Sequence, residues 1–249
     1  MAGAVGGAHS AAAAPRPAGS PPIGGWAALR LVHSVPEPEA ACPPRTEAAS
    51  AGCHTQRIDL RRTGNSWAWT GTPYTSMGLP CHEAFDCRIW RRGTAKPVLI
   101  AAMAPGTGPA AQAGVGAALA ASALLNILEE DMAGYLKSGR LATLLRGAAG
   151  EVQLVLERQA HPARRSIGDY ATALLAVVLT DNGSVIGQIG GGAALVQGQD
   201  GAWCPVRWSG EAGTANKARY LTDADAFTAF QISELPSAPR RVFVFFQQA

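Results

Sequence analysis

The chain has 249 residues, 47% of them apolar, which is enough for one sizeable core or for one domain plus a tail. A net charge of +3 from only 16% charged residues is too weak a field to argue for nucleic acid. Five cysteines, an odd number, do not make a disulfide framework, so a reducing compartment is expected.

Residues 1–65 are rich in Ala, Pro, Gly and Ser, and clusters such as Pro15-Arg16-Pro17 and Pro43-Pro44 break any long element. This composition buries too little apolar area to offset ordering entropy, so a disordered tail is expected there. Within it, the run from Trp26 to Val32 is a candidate short strand or helix. The start, MAGAVGGAHS, lacks a basic region and a leucine-rich core, which makes a poor secretion signal. A cytoplasmic protein is the expectation.

The folded domain is expected over residues 66–249. Residues 66–70 alternate like a strand, and 71–80 read as a loop. Residues 85–90 alternate again and turn through 91–94 into the apolar run 98–103, an arrangement that suggests antiparallel pairing. Pro105, Gly106, Gly108 and Pro109 stop that run. An Ala/Leu-rich helix is predicted over 110–136, and a second over 141–159 that Gly147 and Gly150 weaken. The helical stretch 110–127 is mostly alanine and glycine and runs into Glu129-Glu130-Asp131, so no membrane span is expected.

Residues 170–180 form a dense apolar run, and Asp181-Asn182-Gly183-Ser184 is a strong hairpin turn. Strands are predicted at 185–189, 194–197 and 242–246, with a turn at Asp200-Gly201 and a loop over 221–225. Strands, two helices and then an antiparallel meander describe an α+β layered sandwich better than a βαβ array.

Several phrases in this order resemble the metal-dependent protein phosphatases, the protein phosphatase 2C family, in its bacterial form. Gly78 to Phe85 (GLPCHEAF) looks like the loop that typically reads Pro-Cys-Gln-Asp-Ala. Ala102 to Ala110 (AMAPGTGPA) looks like Ala-Asp-Gly-Ala-Gly-Ser-Ala, and Tyr170 to Leu175 is similar to the strand after the helix pair. Ile189-Gly190-Gly191-Gly192-Ala193 is similar to Ile-Gly-Asp-Gly-Ala, and Leu221-Thr222-Asp223 fits a later loop. Phe245-Phe246-Gln247-Gln248 stands at a Thr-Asp-Gly motif.

The resemblance implies a four-layer α-β-β-α sandwich of antiparallel sheets, incomplete at the C-terminus. It also implies two Mn²⁺ or Mg²⁺ ions whose bound hydroxide attacks phosphoserine or phosphothreonine, a task that requires carboxylate ligands. This chain departs at nearly every acidic position. Glu83 stands for an Asp, Pro105 for the bridging Asp, Gly191 for the Asp of Gly-Asp-Gly, and Gln247 for a later Asp. A terminal Asp-Asn ligand pair would lie past Ala249. Glu83 and the carbonyl of Gly106 are the candidate remnants of the metal site. The expectation is therefore a pseudophosphatase that acts by binding a phosphoprotein or a kinase, with no cofactor. The alternative within the family is a weakly active Ser/Thr phosphatase, loaded with Mn or Mg, that recruits Glu83, Asp86 and other acids.

Other signals carry less. Gly106 to Ala111 fits G-x-G-x-x-A after a strand, a dinucleotide fingerprint through Gly106 and Gly108. That motif needs a parallel strand ending in an acid, whereas Glu129, Glu130 and Asp131 sit in a helical stretch. Cys53-His54, Cys81-His82 and Cys87 match no zinc spacing, and His82 is read as a solvent-facing loop residue. Arg91-Arg92 and Arg240-Arg241 are read as edge charges against sheet association.

Overall fold

A computed structural model of the chain describes residues 55–64, 66–74, 82–92, 96–106, 110–208 and 219–246. Two five-stranded antiparallel sheets face each other, and a pair of long helices covers the outside of one. The uncovered sheet has the order β2 (Ser66–Tyr74), β1 (Thr55–Thr63), β10 (Arg241–Phe246), β7 (Gly192–Gln197), β8 (Trp203–Pro205). The covered sheet has the order β3 (Glu83–Trp90), β4 (Val98–Pro105), β5 (Leu174–Thr180), β6 (Gly183–Ile189), β9 (Gln231–Leu235). Helix α1 spans Ala113–Ser138, α2 spans Leu141–Ala160, and α3 is the short Ala226–Ala229. Among the described residues no long helix covers the first sheet.

Side-chain alternation assigns each strand residue to one of two cores. Val98, Ile100, Ala102 and Ala104 of β4 join the helices, while Leu99, Ala101 and Met103 fill the space between the sheets. Strand β5 does the same: Leu174, Ala176 and Val178 face the helices, and Leu175, Val177 and Leu179 face the other sheet. Alanines on both partners let α1 sit close to this sheet, with Ala117, Ala120 and Ala121 fully or almost fully buried. Helix α1 is long and apolar enough to cross a membrane by length and composition. Its Leu124, Leu128 and Met132 are spent on the core.

Several expectations need correction. Strand β1 lies in the stretch assigned to the tail, so the fold is under way by Thr55 rather than residue 66. Ile58 and Leu60 are its two core residues, and the strand pairs with both β2 and β10. Residues 71–74, expected in a loop, continue β2 against β1. Tyr170 closes a 3-10 turn (Ile167–Tyr170) instead of opening β5. Strand β9, which the sequence reading omitted, pairs with β6. Arg241 lies in β10, between β1 and β7, and is therefore not at an edge. Arg91 and Arg92 do follow an edge strand, β3. The run from Trp26 to Val32 lies outside the described residues.

At one end of the sandwich an ion triad joins the sheets. Arg62 extends inward from β1 to Asp181 in the β5–β6 turn at 2.7 Å, and Lys96 meets the other carboxylate oxygen at 3.1 Å. The Asp181 side chain is only 9% exposed, so water screens it poorly. The Asp181→Ala protein should lose about 2–3 kcal/mol of unfolding free energy, since a half-buried guanidinium is left unpaired. Chemical denaturation at two salt concentrations checks this.

Candidate functional site

The opposite end of the sandwich collects the positions at which the sequence suggested a metal site. Glu83 opens β3 and pairs across the ladder with Pro105, the last residue of β4. Directly opposed residues share a face with Cβ atoms about 5 Å apart. Counting by alternation, both belong to the face that carries Phe85, Cys87 and Met103, which is the one between the sheets. Gly106 follows, with its amide donating to the His82 carbonyl at 2.5 Å. A Cβ at Gly106 would lie 2.5 Å from the carbonyl oxygens of both His82 and Ala113, so the close approach of three backbones demands glycine here.

The Pro105 carbonyl is held from β5's approach. Thr172, fully buried, donates its hydroxyl to it at 2.9 Å, and the Ala173 amide donates at 3.1 Å. Next to Ala173 comes the turn between β6 and β7. Gly190 there has φ +107°, a conformation open to glycine, and packs onto the Ala173 methyl. Gly191 is exposed at its tip. Gly192 then pairs with Phe246 at the end of β10. Glu83, Pro105, Gly106 and Gly191 thus come to one rim; Gln247 and Gly108 lie outside the described residues.

Among the described residues that the sequence pointed to, Glu83 is the one that brings a carboxylate to this rim. Asp86, a candidate recruit, is three residues on and so projects from the opposite, helix-facing side of β3. It is committed there: Arg88 binds Asp86 at 3.0 Å, Glu129 of α1 at 2.8 Å and the Asn126 side-chain Oδ1 at 2.8 Å. Partial burial disfavours the guanidinium charge, but these hydrogen bonds and the two carboxylates outweigh it and hold Arg88 above its ordinary value. Asp223 is likewise turned back on its own loop, accepting from the Tyr220 amide at 2.9 Å. Among the described residues no three His, Cys, Asp or Glu side chains converge on a common point. A two-ion centre needs several hard oxygen ligands per ion, and this set of one carboxylate, one pyrrolidine ring and glycine carbonyls does not fit it.

Sequence reasoning missed Gln188. It sits on β6 facing the space between the sheets, 4% exposed, with its amide nitrogen donating to Gln231 Oε1 of β9 at 3.1 Å. Its own Oε1 is buried with no donor among the described residues, close against Gly192 and Leu175. A neutral amide pair thus lies beneath Gly192, beside the rim, and offers a buried acceptor there. The available signal was one polar residue at an inward position of an otherwise apolar strand, Val185 to Ile189.

The dinucleotide reading fails on topology. Strand β4 leads to α1, but both neighbours of β4 run antiparallel to it, so there is no parallel crossover unit to bind a pyrophosphate. Cys87 is buried in the core between the sheets, and among the described residues no three His, Cys, Asp or Glu side chains gather around it; Cys53, His54 and Cys81 lie outside the described residues.

The family model described as protein phosphatase 2C matches residues 70–246. This chain belongs to the protein phosphatase 2C family. Over 162 residues it is 27% identical to serine/threonine-protein phosphatase 3 of Escherichia coli (strain K12), covering 65% of this chain and spanning 63% of that relative's length. Similar solved structures include a bacterial serine phosphatase, at 13% identity and TM-score 0.43, with 66% of this chain and 67% of that one covered. Stp1 from Staphylococcus aureus is similar at 10% identity and TM-score 0.40, over 83% and 76% of the two chains. The catalytic domain of PstP, solved with two manganese ions, is similar at 18% identity and TM-score 0.39, over 67% and 74%. The order of elements expected from the resemblance is the one this protein phosphatase 2C chain adopts.

Replacing Gly106 by alanine in this phosphatase-like domain should cost about 2–3 kcal/mol, because backbone rather than a flexible side chain stands in the way. Gly134→Ala, in α1 with nothing within 4 Å of the added methyl, should instead stabilise by about 0.5–1 kcal/mol. Paired thermal melts of the two variants check the contrast.

Proposed function

We propose that this protein phosphatase 2C domain binds its partner without dephosphorylating it, as a pseudophosphatase of the cytoplasm whose target is a phosphoprotein or a kinase. The observation that carries this reading is the cross-strand pair Glu83 and Pro105. A bridging carboxylate belongs where a ring without a side-chain oxygen now stands, and the neighbouring Asp86 faces away from the rim. The amide pair at Gln188 and Gln231 supports the same reading, since it can hydrogen-bond a partner but cannot neutralise a dication.

The test is calorimetric titration of the full chain with Mn²⁺, together with p-nitrophenyl phosphate turnover on the same sample. We expect no binding of two ions in the micromolar range and turnover equal to that of buffer containing Mn²⁺. Mn²⁺-dependent turnover that disappears in a Glu83→Ala variant would sink the proposal. Thermal unfolding in Mn²⁺ gives a third readout. A ligand at a hundred times its Kd raises stability by about 2.7 kcal/mol, so an unmoved Tm at 1 mM Mn²⁺ limits Kd to weak values.

A further inference from the structure

We infer, resting on the reading of the domain as a phosphoprotein binder, that the C-terminal cap of α2 is the site for the phosphate of the partner's phosphorylated segment. The cap carries Arg158, His161, Arg164 and Arg165, three arginines and a histidine within eight residues, and the nearest acids in sequence are Glu157 and Asp169. All four residues are exposed. The ion pairs among the described residues engage Arg61, Arg62, Arg88, Lys96 and Arg219, and none of these four. The cap is also strained. The Arg165 amide donates to the Ala160 carbonyl at 3.1 Å, and the Arg164 amide to the His161 carbonyl at 3.0 Å. This paired pattern closes a helix through a left-handed residue, a place ordinarily filled by glycine. Arg164 fills it at φ +52°, and among the described residues it is the one non-glycine with a positive φ. A glycine would close the helix with less strain, so what Arg164 adds is its side chain.

The cap stands at the rim end of the sandwich. Helix α1 begins there, with its Ala113 carbonyl closing on Gly106. Gly139 and Arg140 alone separate the two helices, so α2 returns antiparallel and ends near where α1 begins. From Arg165 the chain leads straight back to the rim: the Asp169 carbonyl accepts from the Gln112 amide at 2.8 Å, and Thr172 donates its hydroxyl to the Pro105 carbonyl at 2.9 Å. The seven residues from Arg165 to Thr172 span at most about 25 Å, so an extended partner segment of similar length reaches from the cap to Glu83 and Pro105. Offsetting the helix dipole accounts for Arg158, the basic residue of the last turn. It does not call for Arg164 and Arg165 as well, because that dipole amounts to roughly half a negative charge against three full positive ones. The surplus is positive and open to solvent, and guanidinium groups take phosphate through paired hydrogen bonds. Arginine clusters are a recurrent means of recognising phosphorylated segments. Beside a rim read as lacking a two-ion centre, these arginines supply the positive charge that a bound phosphate needs.

The experiment is retention of the full chain on two immobilised degenerate peptide libraries in metal-free buffer. One library is fixed at a central phosphoserine or phosphothreonine, the other at the unmodified residue. The phosphorylated library should retain at least about fivefold more protein, as charge-assisted hydrogen bonds to a phosphate predict. Arg164→Gly/Arg165→Gln should bring that retention down to the level of the other library, with Tm unchanged or raised, since glycine suits the left-handed position. Arg158→Gln/Arg165→Gln, which leaves the strained residue in place, is the second variant and should weaken retention in the same direction. Equal retention of the unaltered chain on the two libraries overturns the cap and the phosphoprotein target together. Preferential retention that survives both double substitutions overturns the cap alone and leaves the phosphoprotein reading standing. So does sedimentation with vesicles of phosphatidylcholine and phosphatidylserine that the substitutions abolish while retention stays as it was; the cap would then face a lipid surface.

Discussion

The structure rests on two strands that are apolar on both faces. Strands β4 and β5 pair along residues 99–103, and each sends alternate residues into the helix-facing core and the core between the sheets. Every other element is placed by what it covers on this pair. Helix α1 lies over one side, the opposing sheet over the other, and β3 and β6 extend the ladders laterally. A polar residue at any of these central positions would face no water and no partner, which costs more than most single substitutions. The rim at the end of β4 inherits this rigidity. Pro105 and Gly106 continue a strand that cannot shift without disturbing both cores.

The same rigidity fixes which side chains can reach the rim. Alternation fixes which face a residue serves, and a slip of one residue would turn the whole apolar set of β3 around. Asp86 is near Glu83 in sequence and on the wrong side in space, already satisfied by Arg88 and through it joined to Asn126 and Glu129 of α1. Trp90 adds a bond from its indole nitrogen to the Glu129 carbonyl at 3.1 Å, so the edge strand is fastened to the helix over much of its length. Asp86 is therefore not free to turn toward Glu83 and Pro105. The fold itself needs only the apolar alternation, which does not depend on which residues stand at the rim.

How far the sequence discloses all this depends on the source of the signal. The double-sided strands β4 and β5 are uninterrupted apolar runs, and the Asp181–Ser184 turn is explicit in its residues, so these elements could be placed directly. Strand β1 could not, because its apolar inward residues are Ile58 and Leu60 alone among the described side chains, Arg62 turns inward as a charge, and the strand follows a long stretch with no core signal. Strand β9 has one buried residue, Ile232, and gains its identity from pairing with β6. The rim residues Glu83, Pro105 and Gly191 were accessible through motif order. Thr172 and Gln188 were not, since their roles come from buried partners contributed by other strands, which spacing along the chain does not encode.

The position of β10 carries a consequence for how the molecule is made. This strand follows every other described strand in sequence and yet is central in its sheet, with β1 on one side and β7 on the other. Ile58 thus finds Val244 only after almost the whole folded part has left the ribosome. Until then β1 and β2 are an isolated hairpin, which is marginally stable in water. Contacts of such long sequence separation slow folding and leave intermediates exposed to aggregation. The covered sheet can collapse early on α1 and α2, and the other sheet must wait for β10.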